Sequence, residues 1–188
     1  MIPATAEKEK ELIDALRSGK TAAKRAFYEQ FYRYLAAVCA RYVPDDEDVK
    51  DLLQDVFIKL FNRFDSFQYR GTGSLQAWSR KVTVNEALQF LRAAKRMPTS
   101  PLDNMAEPSD SDPAPDVSQI PQRVLLEMIR RLPDRYRTVF NLYVFEEKSH
   151  QEIAAQLQIQ PGTSASNLHR AKALLSQWIR EYRKQEEQ

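Results

Sequence analysis

The 188-residue chain carries 28 Lys and Arg against 26 Asp and Glu, for a net charge of +2, and 43% of its residues are hydrophobic. This length accommodates one domain or two small ones. Four glycines and a high content of Leu, Ala, Glu, Lys, Arg and Gln favour an all-α protein. No apolar run approaches the ~18 residues of a membrane span, and residues 1–20 lack the apolar core of a signal peptide. We therefore expect no membrane insertion and a cytoplasmic location.

The residues that serve metal or covalent chemistry are few. Cys39 is the single cysteine, so internal disulfides are excluded, and its apolar neighbours predict a buried core residue. The only histidines, His150 and His169, cannot complete a metal cluster. The chain also lacks a Gly-rich phosphate loop, and neither histidine pairs with a credible nucleophile. The sequence predicts a protein that is not an enzyme, with no cofactor and no metal site.

The charges divide the chain into three blocks. Residues 1–96 hold 17 basic and 13 acidic side chains, and residues 122–188 hold 11 basic and eight acidic ones. Residues 97–121 between them hold five acids, no Lys or Arg, and six of the ten prolines. Such a segment buries too little apolar surface to offset its ordering entropy. We predict two domains, 1–96 and 121–188, joined by a flexible acidic linker, 97–120.

Caps and breakers predict the helices of the first block. We expect helices over 7–17 and 21–42, a third from the acidic run after Pro44 to about Phe64, and a fourth from Leu75 to about Arg96. Ser74 is the predicted cap of the fourth helix. Residues 67–73 contain two glycines and are predicted to form a loop.

The second block contains a candidate helix-turn-helix. Helices are predicted from Pro121 to Leu132 and from about Asp134 to Phe145. A short helix capped by Ser149 is predicted over 151–157, followed by a long helix from the cap Thr163 to about Arg183. A short helix, a brief turn and a long helix are typical of DNA-binding modules. The alternative is a solvated helical hairpin.

The predicted third helix carries an unusual outer face. At about 100° per residue, its apolar residues share one broad face, and the opposite side holds Asp51, Gln54, Asp55 and Ile58. Carboxylates repel phosphate, whereas an exposed apolar residue among hydrogen-bonding groups suits a protein contact. The alternative is an ordinary amphipathic helix with one stray isoleucine.

Two other groups of side chains suit nucleic acid. The outward positions predicted at the start of the last helix, which combine hydroxyl, amide and cationic groups, are Ser164, Ser166, Asn167, His169, Arg170 and Lys172. Aromatic and basic residues that suit an unpaired strand are Phe67, Tyr69 and Arg70 in the loop, with Trp78, Arg80, Lys81 and Asn85 on the next helix. The alternative for Trp78 is a place in the core.

These pieces, in this order, resemble the sigma-70 family of bacterial transcription initiation factors, in particular its two-domain extracytoplasmic function (ECF) group. Asp51 to Phe57 resembles the polymerase-binding helix of the group, and Phe67 to Trp78, with Asn85, resembles its promoter-melting and minus-ten region. The minus-35 domain is resembled by Leu132-Pro133, by Glu152-Ile153-Ala154, and by Gly162-Thr163 with Ser166 and Arg170-Ala171-Lys172.

The resemblance implies a factor that binds core RNA polymerase and directs it to specific promoters. Asp51, Gln54, Asp55 and Ile58 would contact polymerase, the seven residues from the loop and its following helix would bind the minus-ten element, and Ser166, Asn167, His169, Arg170 and Lys172 would bind the minus-35 element. Core polymerase, promoter DNA and an anti-sigma factor are the implied partners. We expect a monomer when the factor is free.

Two other classes remain open at this point. One is a helix-turn-helix regulator that binds DNA independently of polymerase, with a ligand-sensing or dimerising N-terminal block. The other is an adaptor that never contacts DNA. The first predicts promoter binding without polymerase, and the second predicts that Arg170→Ala has no effect on transcription.

Overall fold

The computed structural model describes residues 6–94 and 116–186, and the chain divides into two compact units, Met1–Ala93 and Ala94–Gln188. Within the described ranges there are eight α-helices, one 3-10 turn and no strand, which confirms the all-α prediction. Residues 97–115, most of the predicted linker, lie outside the described residues.

In the N-terminal unit, three long helices form the body and a short helix packs on them. The elements are α1 (Ala6–Arg17), α2 (Thr21–Tyr42), α3 (Asp46–Asn62), a 3-10 turn (Phe64–Ser66) and α4 (Ser74–Ala93). Helices α2, α3 and α4 pack against one another, while α1 packs on α2 and on the 3-10 turn. The predicted bounds of α2 match, and α3 ends two residues before the expected Phe64.

Cys39 lies within this core, as predicted. Its side chain is 0% exposed, and burial raises the pKa of the thiol to about 12 because the thiolate would lose its hydration. The thiol therefore stays protonated near neutral pH and serves as a small apolar core group.

The start of α3 follows directly from the local sequence. The Asp45 carboxylate accepts hydrogen bonds from the backbone N–H groups of Glu47 (2.9 Å) and Asp48 (3.0 Å). Three acids in the first turn also interact favourably with the positive end of the helix. The acidic run therefore fixes the register in which α3 presents its two faces.

The start of α4 was predicted to within one residue, but its cap was predicted incorrectly. Ser74 is the first residue of the helix rather than its cap, and its hydroxyl oxygen accepts a hydrogen bond from the Arg70 amide in the preceding loop at 3.3 Å. The Leu75 amide instead donates to the Glu9 carboxylate, which comes from α1 at 2.9 Å. The cap of α4 is thus supplied by α1, and the residues next to the start of α4 do not predict it.

The C-terminal unit contains α5 (Gln122–Arg131), α6 (Asp134–Val144), α7 (His150–Leu157) and α8 (Pro161–Glu186). The long α8 packs against the three other helices. Its core includes Ile129, Leu132, Tyr136, Ala171, Leu175 and Ile179. Ile120, placed by the sequence at the end of the linker, is 8% exposed and packs in this same core.

Helices α7 and α8 pack together as a helix-turn-helix. Ser149 and Glu152 form a reciprocal capping box at the start of α7, as predicted. Gln158 ends α7 in a left-handed conformation with φ of 58°, where glycine is commoner. The next helix starts at Pro161 rather than after a Thr163 cap, because proline is well tolerated at the first helical position.

Within residues 6–94 and 116–186, no helix is long and apolar enough to cross a membrane. No group of three or more His, Cys, Asp or Glu side chains in these ranges could hold a metal ion.

Candidate functional site

The outer face of α3 consists of four residues, Asp51, Gln54, Asp55 and Ile58, and all four are exposed. The opposite side is buried as predicted and contains Leu52, Leu53, Val56, Phe57 and Leu60. Ile58 is 58% exposed, the largest value among the exposed large hydrophobic residues in the described ranges. An apolar side chain left in water between two carboxylates and an amide favours a contact with another protein.

Two exposed aromatic residues of α2 lie near α3, and they were not among the site residues predicted from the sequence. Tyr28 and Tyr32 are 43% and 38% exposed, and their ring centroids lie 5.2 Å apart. The Tyr28 ring is also 4.6 Å from that of Phe57 on α3. The spacing of four residues on one helix was the available sign that these tyrosines share a face.

The loop after the 3-10 turn is anchored by aromatic packing. Phe67 is only 3% exposed, and its ring centroid lies 5.7 Å from that of Phe64 and 5.3 Å from that of Trp78. The expectation that the Phe67 ring faces outward to an unpaired base therefore has to be corrected. The buried Phe67 ring instead anchors the start of the loop, and half-buried Trp78 packs against this ring.

The remainder of the loop is open to solvent. Arg70 and Thr72 are exposed, and Tyr69 is half-buried with the Lys10 ammonium 5.4 Å from its ring centroid. Gly71 and Gly73 have φ of +115° and +86°, which side-chain-bearing residues rarely adopt. The two glycines therefore allow the tight path that leads from Tyr69 into α4.

The predicted residues of α4 do not all share a face. At about 100° per residue, Trp78, Lys81 and Asn85 fall within about 60° of one another around the helix. Lys81 and Asn85 are exposed beside half-buried Trp78. Arg80 is half-buried and lies at least about 100° from each of them, so the helix does not bring it to the same face.

Two of the residues expected on the outside of α8 point inward. Ser164 is 0% exposed, and Asn167 is 8% exposed. The prediction of outward positions was wrong for both, because the buried face of α8 passes through them together with Leu168 and Ala171. A polar side chain on a helix does not by itself show which side faces solvent.

The outer face of α8 contains Gly162, Ala165, Ser166, His169 and Lys172. All are exposed except His169, which is half-buried. The three small residues allow close approach of the helix backbone to a partner, and the last two supply a hydrogen-bonding ring and a cation. The predicted outward positions included the polar members but neither Gly162 nor Ala165.

Basic and aromatic groups flank this face. Arg170 is half-buried and donates to the Tyr136 hydroxyl oxygen at 3.2 Å, which restrains its guanidinium. Tyr143, at the end of α6, is 38% exposed, and the Lys172 ammonium lies 5.6 Å from its ring centroid. Tyr143 also stacks on His150 of α7 at 4.9 Å. Neighbouring cations and rings at one end of a helix-turn-helix suit a phosphate backbone.

Comparison with known proteins matches both units to one family. Residues 27–97 match the model of sigma-70 region 2, and residues 122–175 match that of sigma-70 region 4. The ECF RNA polymerase sigma-E factor of Escherichia coli (strain K12) is 30% identical over 172 residues, which cover 86% of this chain and 88% of that protein. The RNA polymerase sigma-H factor of Pseudomonas aeruginosa is 28% identical over 183 residues, covering 89% and 92%.

The chain belongs to the sigma-70 family of RNA polymerase sigma factors, in its ECF group. It is a transcription initiation factor that binds core RNA polymerase and directs it to promoters. A solved structure of CnrH in complex with the cytosolic domain of CnrY is also similar, at 20% identity and a TM-score of 0.45, covering 90% of this chain and 96% of that one.

Within this sigma factor, the two matched regions contain every predicted site residue. Region 2 includes the outer face of α3, the loop and the exposed side of α4. Region 4 includes the helix-turn-helix and the outer face of α8. Helix α1 lies before residue 27 and is outside both matches.

Proposed function

We propose that residues 1–96 of this sigma factor bind core RNA polymerase through the outer face of α3. The observation that supports this most strongly is the exposure of Ile58 among Asp51, Gln54 and Asp55 on a helix whose other side is buried. Burying Ile58 against polymerase would remove apolar surface from water, while the acids and the amide would form polar contacts around it.

The same domain would open and read the minus-ten element. Exposed Arg70, Lys81 and Asn85, together with half-buried Tyr69 and Trp78, surround the glycine-containing loop. Rings stack on unpaired bases while cations follow the strand backbone. An extruded base costs a few kcal/mol of stacking, which loop contacts would offset. Phe67 would act by supporting the loop, and Arg80 would lie outside this surface.

The linker would connect this domain to the C-terminal unit, which would bind the minus-35 element through α8. Ser166, His169 and Lys172 lie on its outer face, and Arg170 lies beside them. Insertion of this face into the major groove would place hydroxyl, imidazole and cationic groups near base edges and phosphates. Asn167 is mostly buried, and it would contribute by packing within the helix-turn-helix.

The factor would act in the cytoplasm, on nucleoid DNA, by binding rather than by catalysis. It would be a monomer when free. An anti-sigma factor would regulate it by covering the surfaces used for polymerase or DNA.

Reconstitution tests the proposal directly. Core polymerase plus the full chain should initiate at specific promoters, and the triple variant Asp51→Ala/Gln54→Ala/Asp55→Ala should lose core binding. Glu7→Ala/Glu11→Ala, which removes two exposed acids from α1, is the control for charge loss and should bind normally. Unchanged core binding by the triple variant would refute the assigned surface. Specific promoter binding by the chain without polymerase would instead favour the helix-turn-helix regulator.

A further inference from the structure

The buried carboxylate of Glu9 joins α1 to the start of α4. Glu9 is 6% exposed, although glutamate is rarely buried without partners. One carboxylate oxygen accepts from the Gly73 amide at 2.7 Å, and the other accepts from the Leu75 amide at 2.9 Å. These two amides are at the amino end of α4, where backbone N–H groups otherwise lack partners within the helix.

Two more side chains of α1 contact the same loop. The Arg17 guanidinium donates to the Phe67 carbonyl oxygen at 3.3 Å, at the point where the loop begins. The Lys10 ammonium lies 5.4 Å from the centroid of the Tyr69 ring, in the middle of the loop. Together with Glu9 at Gly73, α1 holds the loop at its beginning, middle and end.

The loop would be poorly restrained without this contact. Gly71 and Gly73 are the residues with the largest conformational freedom, and both have positive φ. Within the loop, the Ser74 amide donates to the Gly71 carbonyl and the Arg70 amide donates to the Ser74 hydroxyl, while the Gly73 carbonyl accepts from Ala77 in α4. A pair of charge-assisted bonds from a rigid helix therefore supplies much of the order that a base-binding loop needs.

We propose that Glu9 is a positioning residue for promoter recognition: α1, through the Glu9 carboxylate on Gly73 and Leu75, sets the conformation in which loop 67–74 receives an unpaired minus-ten base. This inference rests on the proposed role of the loop. Glu9 itself contacts no DNA in this scheme. Its contribution is to keep the backbone of the loop in one arrangement before the base arrives, so that less ordering entropy is lost on binding.

Glu9→Gln is the informative substitution. Glutamine keeps the length of the side chain, but one carboxylate oxygen becomes an NH₂ group that would face a backbone N–H donor. One of the two bonds is lost and the negative charge at the helix end disappears. Glu11→Gln is the matched control, because Glu11 is an exposed acid on the same helix.

The test uses the full chain assembled with core polymerase. A promoter is first selected from a random-sequence duplex library by the wild-type holoenzyme. The probe is then a single-stranded oligonucleotide of its non-template minus-ten segment, together with versions in which each base is replaced in turn. Dissociation constants of the holoenzyme for this set give the base discrimination, and a separate titration gives the affinity for core polymerase.

We expect Glu9→Gln to reduce minus-ten base discrimination on the order of tenfold, the size of one charged hydrogen bond, with core affinity unchanged. Glu11→Gln should behave as the wild type. Unchanged discrimination by a folded Glu9→Gln protein would overturn the proposal, and so would a parallel loss of core affinity, since that indicates a general structural defect. If the wild-type holoenzyme shows no minus-ten preference, the proposed role of the loop itself is wrong.

A second variant keeps the test decisive if Glu9→Gln does not fold. Arg17→Ala removes the bond to the Phe67 carbonyl from an exposed side chain, so the core of the unit remains intact. It should reduce minus-ten discrimination in the same direction and by a smaller factor. Discrimination equal to that of the wild type would overturn the role of α1 in positioning the loop.

Discussion

The Nδ1 atom of His150 lies 3.0 Å from the hydroxyl oxygen of Ser164, and this hydrogen bond connects the first residue of α7 to the first turns of α8. Ser164 is 0% exposed and lies on the buried face of α8. The face of the His150 ring stacks on Tyr143 of α6. The imidazole of His150 in α7 therefore contacts both α6 and α8, and these contacts help to fix the orientation of α8 relative to α6 and α7.

Ser164→Ala should destabilise the C-terminal unit. The substitution removes the hydroxyl and leaves a half-buried imidazole nitrogen without its partner, at a cost of about 1 kcal/mol or more. Urea unfolding, followed by Trp178 fluorescence in a Trp78→Phe background, measures this unit alone, because the chain has one tryptophan in each unit.

Ser166→Ala is the matched control two residues further along α8. Ser166 is exposed, and its hydroxyl donates only to the Thr163 carbonyl of its own helix, at 3.1 Å. Stability should stay within about 0.5 kcal/mol of the wild type. Affinity of the holoenzyme for minus-35 DNA should fall instead. Equal losses of stability in the two variants would contradict the inward and outward assignment.

Ile58→Ser should weaken core polymerase binding without harming the fold. Burial of an exposed isoleucine in an interface contributes about 1.5–3 kcal/mol, so the dissociation constant should rise roughly tenfold to a hundredfold. Fluorescence anisotropy of labelled sigma factor titrated with core polymerase gives this constant. The unfolding free energy should not fall, because the side chain is 58% exposed in the free protein.

Val117→Ser controls for the loss of an exposed apolar side chain as such. Val117 is 43% exposed and lies in the other unit, before α5. Its substitution should leave core affinity near the wild-type value. If Ile58→Ser binds core polymerase as well as Val117→Ser does, the outer face of α3 is not the docking surface.

Local chemistry made most of the helices predictable. The bounds of α2, the Asp45 cap of α3 and the capping box of α7 each follow from residues within a few positions of one another. The start of α8 was misplaced because Pro161 and Thr163 both suit a helix start, and a single sequence does not rank them.

The candidate site was predictable in composition and less so in orientation. The exposed face of α3 was correct because five large apolar residues set its phase. On α8 the buried face includes Ser164 and Asn167, so the prediction from their polarity that both face solvent was wrong. Glu9 was missed because its partners lie more than 60 residues away, and only the packed tertiary structure brings them together.

Phe67→Ala should act through stability. The ring is 3% exposed and packs between Phe64 and Trp78, so its removal should cost about 3–5 kcal/mol and should unfold or loosen the N-terminal unit. Arg70→Ala removes an exposed side chain of the same loop and should leave stability within about 0.5 kcal/mol while weakening minus-ten binding. Thermal unfolding of both variants separates the two roles. A Phe67→Ala protein as stable as Arg70→Ala would contradict the supporting role of the ring.

The capping box at α7 makes the helix-turn-helix sensitive to acid. The hydrogen bonds from the Ser149 amide and hydroxyl lower the pKa of the Glu152 carboxyl below its ordinary value, because they stabilise the carboxylate. A lowered folded-state pKa contributes stability that is present above the ordinary pKa and is lost as pH falls through the folded-state value.

Glu152→Gln should therefore be less stable than the wild type at pH 7, and the difference should shrink as the pH falls below about 4.5 and the wild-type carboxyl protonates. Urea unfolding at pH 7 and pH 3, followed by Trp178 in the Trp78→Phe background, gives the two differences. Glu147→Gln, an exposed acid in the turn before α7, controls for charge alone. A stability difference between Glu152→Gln and the wild type that stays constant with pH would show that the charge of Glu152 does not support the helix, and that the capping box acts only through its geometry.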